Sequence, residues 1–567
     1  MVAPLSLKRE KVGAPKAAVN SPQLSVLVDN GVYHLDQEFD YLLPEKYEIS
    51  PGDWISVPFK GSNKIGLVTK RGKLQTTSKL LFINKPIAGP KITSEFLQLY
   101  KAIAARWAVP IFDVLRFTTK FQNGAEHTTP KNRTSKRFYL QLNSTADEIT
   151  QLREQANLIS QSGPTLIIVP EKRLLKLIQS DKYDVGLRGS ILSPKHYLNL
   201  VILREDSEHH YEIKSPGFNT RDVALLRSEL LHENLYFLGF APSLEMLSLI
   251  EKKYVTLKKV QNRITVNAKP SLQGETIPSA LIPIFKKYLQ QGTVLVIAPV
   301  KGYGIAISCA KCRNVAKCEC GGRLTKKGKN LPPNCSICNK KFSDWKCSYC
   351  GANRIYLLGR GIDRIAEEFG KSFPNTAIHI ATADKEIESV SGRGNMVLST
   401  LGAAPVQIYS AVLFLEGLNL TADLRSTERS LSSFMRYAAL SQGRVLIVEP
   451  TESAIVNALI QWNPFSILNR EVEELRAASL PPSARHILIK SNPDETNRIF
   501  AGLQSAIREG RLDASVRIFN LDSGLISIFF PLKAADRTLK FIFELQKRRS
   551  MANKGVLKLR VDPYLLG

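Results

Sequence analysis

The stretch GPTLIIVPEKRLLKLIQ, residues 163 to 179, sets a short unbroken apolar run before a second run of helical spacing. Leu166 to Val169, closed off by proline, have the length of a buried strand. The leucines after Glu171 recur as on one side of a helix. A strand running into a helix is the repeating unit of a parallel α/β sheet. The theme returns in LNLVILREDSEHH (198–210) and YFLGFAPSLEMLSLI (236–250). A second block opens with TVLVIAPVKGYGIAI (293–307) and resumes with GIDRIAEEFGKSFP (361–374), NMVLSTLG (395–402) and SAVLFLEG (410–417). It closes with SLSSFMRYAALSQGRVLIVEP (430–450). Two such blocks in series predict a multidomain α/β protein with two RecA-like lobes.

The flanks read differently. SVLVDNGVYHL (25–35), FDYLLP (39–44), PGDWISVPF (51–59) and KIGLVTKRG (64–72) are short, closely spaced strand patterns, as in a small barrel or sandwich. Residues 95–117 have helical periodicity. The division expected is a flexible extension at 1–21, an N-terminal β-rich domain at 22–118 and a polar, basic linker at 119–136. The first lobe takes 137–270, the second 271–464 with an insertion at 305–355, and an α+β C-terminal domain takes 465–567.

The chain of 567 residues carries 78 Lys and Arg against 51 Asp and Glu, a net charge of +27. Such a surplus calls for a polyanionic partner. No apolar run approaches the roughly 20 residues that span a bilayer, so nucleic acid is the expected partner and a membrane is not. The first twenty residues are basic without an apolar signal core, and the expected location is the cytoplasm, with the nucleoid.

All eight cysteines fall between residues 309 and 350: Cys309 and Cys312, Cys318 and Cys320, Cys335 and Cys338, Cys347 and Cys350. Pairs of thiols on tight turns, two pairs to an ion, make tetrahedral zinc sites; a disulfide framework belongs to small secreted domains instead. Four pairs can be matched in three ways. Matching neighbours would close one site over five residues, so the nested match is preferred. It places Cys309, Cys312, Cys347 and Cys350 on one zinc and Cys318, Cys320, Cys335 and Cys338 on a second, two Zn2+ per chain. The Cys-x-Cys pair makes the inner site the more strained. Four thiolates leave no open position, so neither zinc is expected to be catalytic. Lys311, Arg313, Lys317, Arg323, Lys326, Lys327, Lys329, Lys340, Lys341 and Lys346, with Trp345 and Tyr349, suit contact with a nucleic-acid backbone and with bases. His209 and His210 are expected to be surface residues and not metal ligands.

With the two αβ blocks and the cysteine insertion together, the sequence resembles the bacterial primosomal protein N′ (PriA) family over nearly its whole length. FDYLLPEKYEISPGDWISVPF (39–59), KGYGIAISCAKCRNVAKCECGG (301–322), CGANRIYLLGRGIDRIAEEFGKSFP (350–374), TADLRSTER (421–429) and LRVDPYLLG (559–567) each have counterparts there. The resemblance implies a replication restart factor that binds abandoned or stalled forks and promotes primosome assembly and reloading of the replicative helicase. The implied partners are DNA junctions with free 3′ ends, primosome proteins, the replicative helicase or its loader, and single-stranded DNA-binding protein. By the same resemblance, Phe39, Asp40 and Tyr41, with Gly61 and Lys79, bind the 3′ end. From the residues alone, the preferred reading is that Phe39 and Tyr41 pack a barrel core with Asp40 in a turn.

The chain departs from the family at its motor parts. No segment satisfies the phosphate-binding loop G-x4-G-K-[ST]; IAEEFGKS (365–372) has isoleucine at its first position, and the expected place reads LQLNSTADEITQL (140–152). The magnesium-binding D-E-x-H corresponds to Arg204, Glu205, Asp206 and Ser207. The coupling segment GSATPS is reduced to GFAPS (239–243), and QVAGRAGR to RYAALSQGR (436–444). Losing the phosphate cradle together with its arginines is expected to silence a motor. The expectation is therefore a non-enzymatic fork-binding protein with no catalytic residues and no ATP cofactor. The alternatives are an active ATP-dependent 3′-to-5′ helicase with an unrecognised nucleotide site, or a zinc-ribbon RNA or DNA adaptor.

Overall fold

The structure is a computed structural model that describes residues 22–72, 80–121, 134–271, 275–299, 306–312, 314–318, 324–328, 330–335, 340–358, 361–416, 425–521 and 524–564. The anticipated extension at 1–21 and most of the anticipated linker lie outside the described residues.

Strands β1 (Gln23–Val28), β2 (Glu38–Leu42), β3 (Trp54–Phe59), β4 (Ser62–Gly72) and β5 (Lys85–Ile87) form an antiparallel sheet in the order β2-β1-β4-β3-β5. The two edges meet. Leu42 donates its N–H to Leu81 O at 2.9 Å, and Ile83 donates to Leu42 O at 3.1 Å, so the sheet closes into a barrel. Closure removes exposed strand edges and gives the alternating residues Leu24, Val26, Tyr41, Ile55, Val57 and Val68 a common interior. Helix α1 (Ser94–Trp107), started by the Thr93 side chain, and the short α2 (Ile111–Leu115) follow.

The first α/β body runs β6 (Arg137–Gln141), α3 (Glu148–Ser160), β7 (Thr165–Ile168), α4 (Lys172–Ile178), β8 (Asp184–Gly186), β9 (Asn199–Leu203), α5 (Thr220–Leu230), β10 (Asn234–Gly239), α6 (Leu244–Glu251) and β11 (Thr256–Lys258). Its six strands are parallel in the order β11-β6-β10-β9-β7-β8. Every residue of β7 and β9 is buried, as expected where helices cover both faces of a parallel sheet.

A second six-stranded parallel sheet has the order β12-β21-β20-β13-β19-β18. Its elements are β12 (Thr265–Ala268), α7 (Ile282–Gln291), β13 (Val294–Ala298), α8 (Ile362–Ser372), β18 (Ala377–Ala381), β19 (Asn395–Thr400), β20 (Ala411–Phe414), α9 (Ser426–Leu440), β21 (Arg444–Ile447), α10 (Ala454–Ile460) and α11 (Phe465–Ala477). The second body thus starts at Thr265, not at 271, because β12 pairs with β21. It also runs past 464: Phe465, Leu468, Val472 and Leu475 of α11 join the core shared by the two bodies, and periodicity along α11 could not reveal which body it would cover.

The insertion leaves the second sheet through an antiparallel stem, β14 (Ala306–Cys309) against β17 (Ile355–Leu358), with β15 (Leu324–Thr325) and β16 (Asn334–Cys335) beyond it. The C-terminal domain is an antiparallel sheet, β23-β24-β22-β25, built from β22 (Ala484–Lys490), β23 (Arg517–Leu521), β24 (Leu525–Pro531) and β25 (Lys558–Val561). Helices α12 (Pro493–Arg508) and α13 (Ala535–Met551) complete it. Among the described residues no helix is long and apolar enough to cross a membrane.

Helix α1 of the barrel domain rests on a buried ion pair of the first α/β body. Arg227, wholly buried, donates to both Glu233 oxygens at 2.7 Å and to the carbonyls of Ile191, Ser193 and Lys195 at 2.8–2.9 Å. Tyr100 of α1 donates to Leu192 O at 2.9 Å in the same place. Arg227→Met leaves Glu233 buried without its cation and is expected to cost about 3–5 kcal/mol, read as a lowered urea midpoint. Arg227→Met with Glu233→Leu recovers most of that loss, because no lone charge remains.

Candidate functional site

Three places carry the residues singled out above: the barrel strand β2, the cysteine insertion, and the seam between the two α/β bodies.

On β2 the register sets Val26 opposite Phe39, Ser25 opposite Asp40 and Leu24 opposite Tyr41. Alternation therefore turns Asp40 to the face away from Phe39 and Tyr41. Tyr41 is 4% exposed and its hydroxyl donates to Pro58 O at 3.2 Å. Burial raises its phenol above the ordinary value. Tyr41 is thus a core residue. Phe39 is half-buried and meets Phe59 edge-on at 5.1 Å. Phe59 and Ser62 pair across a two-residue turn in which Lys60 and Gly61 have φ of +48° and +77°, the left-handed pair that a tight hairpin needs and glycine supplies without strain. Asp40 is exposed and accepts a hydrogen bond from the Ser25 hydroxyl at 2.9 Å. Of the residues expected at the 3′ end, Asp40 and Gly61 are exposed and Phe39 is half-buried; Lys79 lies outside the described residues.

In the insertion the β14–β17 stem aligns Cys309 with Ile355, so the first and last cysteine pairs meet. The sulfurs of Cys309, Cys312, Cys347 and Cys350 all lie within 4.8 Å of one another. Cys309 and Cys350 are 3.5 Å apart, Cys312 and Cys347 3.6 Å. Thiolates at about 2.3 Å from one tetrahedral ion sit roughly 3.8 Å apart, whereas a disulfide needs about 2.05 Å. The set fits zinc and not a cystine. These are the four outer ligands expected from the nested match. Of the inner set, Cys318 and Cys335 are buried, while Cys320 and Cys338 lie outside the described residues. Tyr349 stands between two outer ligands and is 78% exposed. His210, expected on the surface, is buried and bonds Leu203 O at 2.8 Å; His209 is exposed. The histidine at 210 caps the end of β9, a role that a loop reading of 207–213 cannot reveal.

The seam gathers the segments that depart from the family pattern. In a phosphate-binding loop the free N–H groups of the following helix point at the anion. Here the N-terminus of α3 is filled by the chain itself. The Asp147 carboxylate accepts from Ile149 N at 2.9 Å, Thr150 N at 3.0 Å and the Thr150 hydroxyl at 2.7 Å. Gln151 folds back, accepting from Asn143 N at 2.8 Å and donating to the Asn143 and Ala146 carbonyls. Trp462 of the second body donates to Leu142 O at 2.8 Å, and Gln141 donates to Trp462 O at 3.2 Å.

Arg204 has φ of +50° at the end of β9. Its guanidinium pairs with Glu171 at 2.7 Å and lies 3.1 Å from Glu148. Arg436 of α9 approaches Glu171 from the other body at 3.8 Å. Burial opposes the charge on Glu171, but Arg204, then Arg173 and Arg436, outweigh it and hold the carboxyl down at about 2. Glu205 is enclosed: it accepts from Ser243 N and the Ser243 hydroxyl at 2.8 Å each and from Arg221 at 3.2 Å. Burial pushes it up to about 7, despite Arg221. Asp206 accepts from Ser432 of α9 at 2.7 Å, Arg425 pairs with Glu245 and Glu428, and Glu428 accepts from Leu244 N across the seam at 3.1 Å. Glu171, Glu148, Glu245, Glu428 and Ser432 were not singled out in the sequence, since their only signal is a partner far along the chain. Apart from the four outer cysteines, no cluster of metal-ligating groups gathers among the described residues.

Residues 25–119 match the family model of the PriA 3′ DNA-binding domain. Across a longer span the chain is similar to a protein of Mycobacterium tuberculosis named probable replication restart protein PriA, 26% identical, the match covering 82% of this chain and 86% of the relative. It is also similar to the replication restart protein PriA of Rickettsia felis, 23% identical over 92% of this chain and 97% of the relative, and to that of Chlamydia pneumoniae, 26% identical over 48% and 43%.

Elemental analysis of the purified chain should find zinc, and Cys312→Ser should release about one ion per chain from the outer site. Glu205 supplies a pH test. Its folded value lies above that of a free carboxyl, so its contribution is full at low pH and is lost as pH rises. The melting temperature of the wild type should therefore fall, relative to Glu205→Gln, between about pH 5 and about pH 7.

Proposed function

We propose, from the premise that the chain belongs to the PriA family of replication restart proteins, that it acts as a fork-binding scaffold without helicase activity. In this reading the barrel domain engages a free 3′ end at an abandoned or stalled fork. The two α/β bodies, read as degenerate RecA-like lobes, hold the remaining domains around the junction. The cysteine insertion binds two zinc ions and presents Tyr349 with its neighbouring lysines to nucleic acid or to a protein partner. The assembly that follows is the primosome, and the product is a reloaded replicative helicase.

The observation that carries the reading is the match of residues 25–119 to a 3′ DNA-binding domain, on a closed barrel whose Asp40 is exposed. A carboxylate can accept a hydrogen bond from a terminal 3′-hydroxyl, a group that a continuous strand lacks, and Phe39 with Phe59 offers an aromatic edge to the last base. The absence of a motor is supported by the seam. Triphosphate would have to displace Asp147 from the α3 N-terminus and separate Arg204 and Arg436 from Glu171.

Two experiments test this. Forks with a free 3′-hydroxyl should bind more tightly than plain duplex, and Asp40→Ala should erase about tenfold of that preference, as loss of a charge-assisted hydrogen bond does. Equal preference in the variant would refute the 3′-end role. Forked DNA should stimulate no ATP hydrolysis; turnover abolished by Glu205→Ala would establish the helicase alternative. Structured RNA competing as well as forked DNA would favour the adaptor.

A further inference from the structure

The last described residues leave the C-terminal domain and end on the seam. Asp562 follows β25 with φ of +48°, a left-handed turn that redirects the chain. Its carboxylate pairs with Arg485 at 2.7 Å and accepts from His486 N at 3.2 Å. Two residues on, the Tyr564 carbonyl accepts from Arg425 Nε at 2.9 Å. The Tyr564 ring meets Tyr211 of the first α/β body edge-on at 4.9 Å and faces the guanidiniums of Arg425 and Arg429 of the second body at 5.3 and 5.9 Å. One aromatic side chain from a third domain thus touches both sides of the seam.

The contacts form a closed circuit. Arg485 donates to the Arg106 carbonyl of α1 at 3.0 Å, and Arg106 pairs with Asp222 at 2.6 Å. Asp222 pairs with Arg221 at 3.1 Å, Arg221 with Glu245 at 3.4 Å, and Glu245 with Arg425, which returns to Tyr564. The circuit passes through the barrel domain's helix, both α/β bodies and the C-terminal domain, around a cavity of about 290 Å³. From Arg106 through Asp222, Arg221 and Glu245 to Arg425 its charges alternate in sign, so opening the seam at Arg425 separates opposite charges away from water, which is costly.

We infer that Asp562–Tyr564 is a clasp that closes this circuit and holds the two α/β bodies in one fixed orientation, so that a junction meets a rigid surface and not a hinge. The inference rests on the scaffold reading in one respect: a motor must open and close this seam in each cycle, and a clasp from a third domain opposes that motion.

Hydrogen exchange of the full-length protein without nucleotide, read by mass spectrometry, tests it. The Leu244 amide bonds Glu428 across the seam and reports opening directly. Tyr564→Ala should speed exchange in the segment containing Leu244 by about tenfold, the effect of losing an aromatic pair and a cation–π contact, and leave β9 and β20 protected. Tyr564→Phe keeps the ring and the backbone carbonyl and should match the wild type. The clasp is refuted by an alanine variant with wild-type exchange at Leu244, by a phenylalanine variant as fast as alanine, or by loss of protection in β9 and β20 as well, which would mark a folding determinant. ATP hydrolysis would overturn the scaffold reading alone, because this readout involves no nucleotide.

Discussion

The arrangement depends on a set of charges buried between the two α/β bodies. Arg204 with Glu171 and Glu148, Arg436 with Glu171, and Arg425 with Glu245 and Glu428 fill the seam with paired charges. A buried ion pair adds little net stability compared with well-packed apolar residues. A buried ion with its partner removed is very costly. The network therefore acts mainly as a constraint, penalising any geometry that separates its members. The same logic holds at Arg227 and Glu233, a buried pair within the first body against which Phe96 of the barrel's helix packs.

The insertion is independent of that constraint. Its stem needs only four residues on each side to leave the second sheet, and its own core is small, so a metal held by the four outer cysteines would supply what apolar burial cannot. Every cysteine is confined to this one segment, and the large bodies fold around ordinary apolar cores. The barrel is likewise self-contained, its sheet closed through Leu42 and Ile83. Charge completes the picture: a surplus of +27 on a chain whose internal ion pairs are balanced is left largely on the surface, available to a polyanion.

Much of this was legible beforehand. Unbroken apolar runs such as Leu166–Val169 and Val294–Ala298 announced central parallel strands because such strands are apolar on both faces. The outer cysteine set was legible because ligand spacing is a local property and the nested match left few options. Where reading failed, the deciding contact was distant. Thr265 belongs to the second sheet because Arg444 lies beside it, and α11 covers the shared core because α6 presents a complementary face. Tyr41 became core and Asp40 surface through the register with β1, although both stood together in one motif.

What the sequence determined by itself is the kind of molecule: a basic, multidomain α/β chain with a cysteine-rich insertion, lacking a glycine-rich phosphate loop. Those properties reside in composition, periodicity and short-range spacing, which hold whatever the chain folds against. Only the tertiary structure decided that Asp147 caps α3, that Arg204 and Arg436 share Glu171, and that Tyr564 reaches Arg425. Each of these joins residues whose energies depend on burial and on a partner's charge, and neither is a property of a residue until the chain has closed around it.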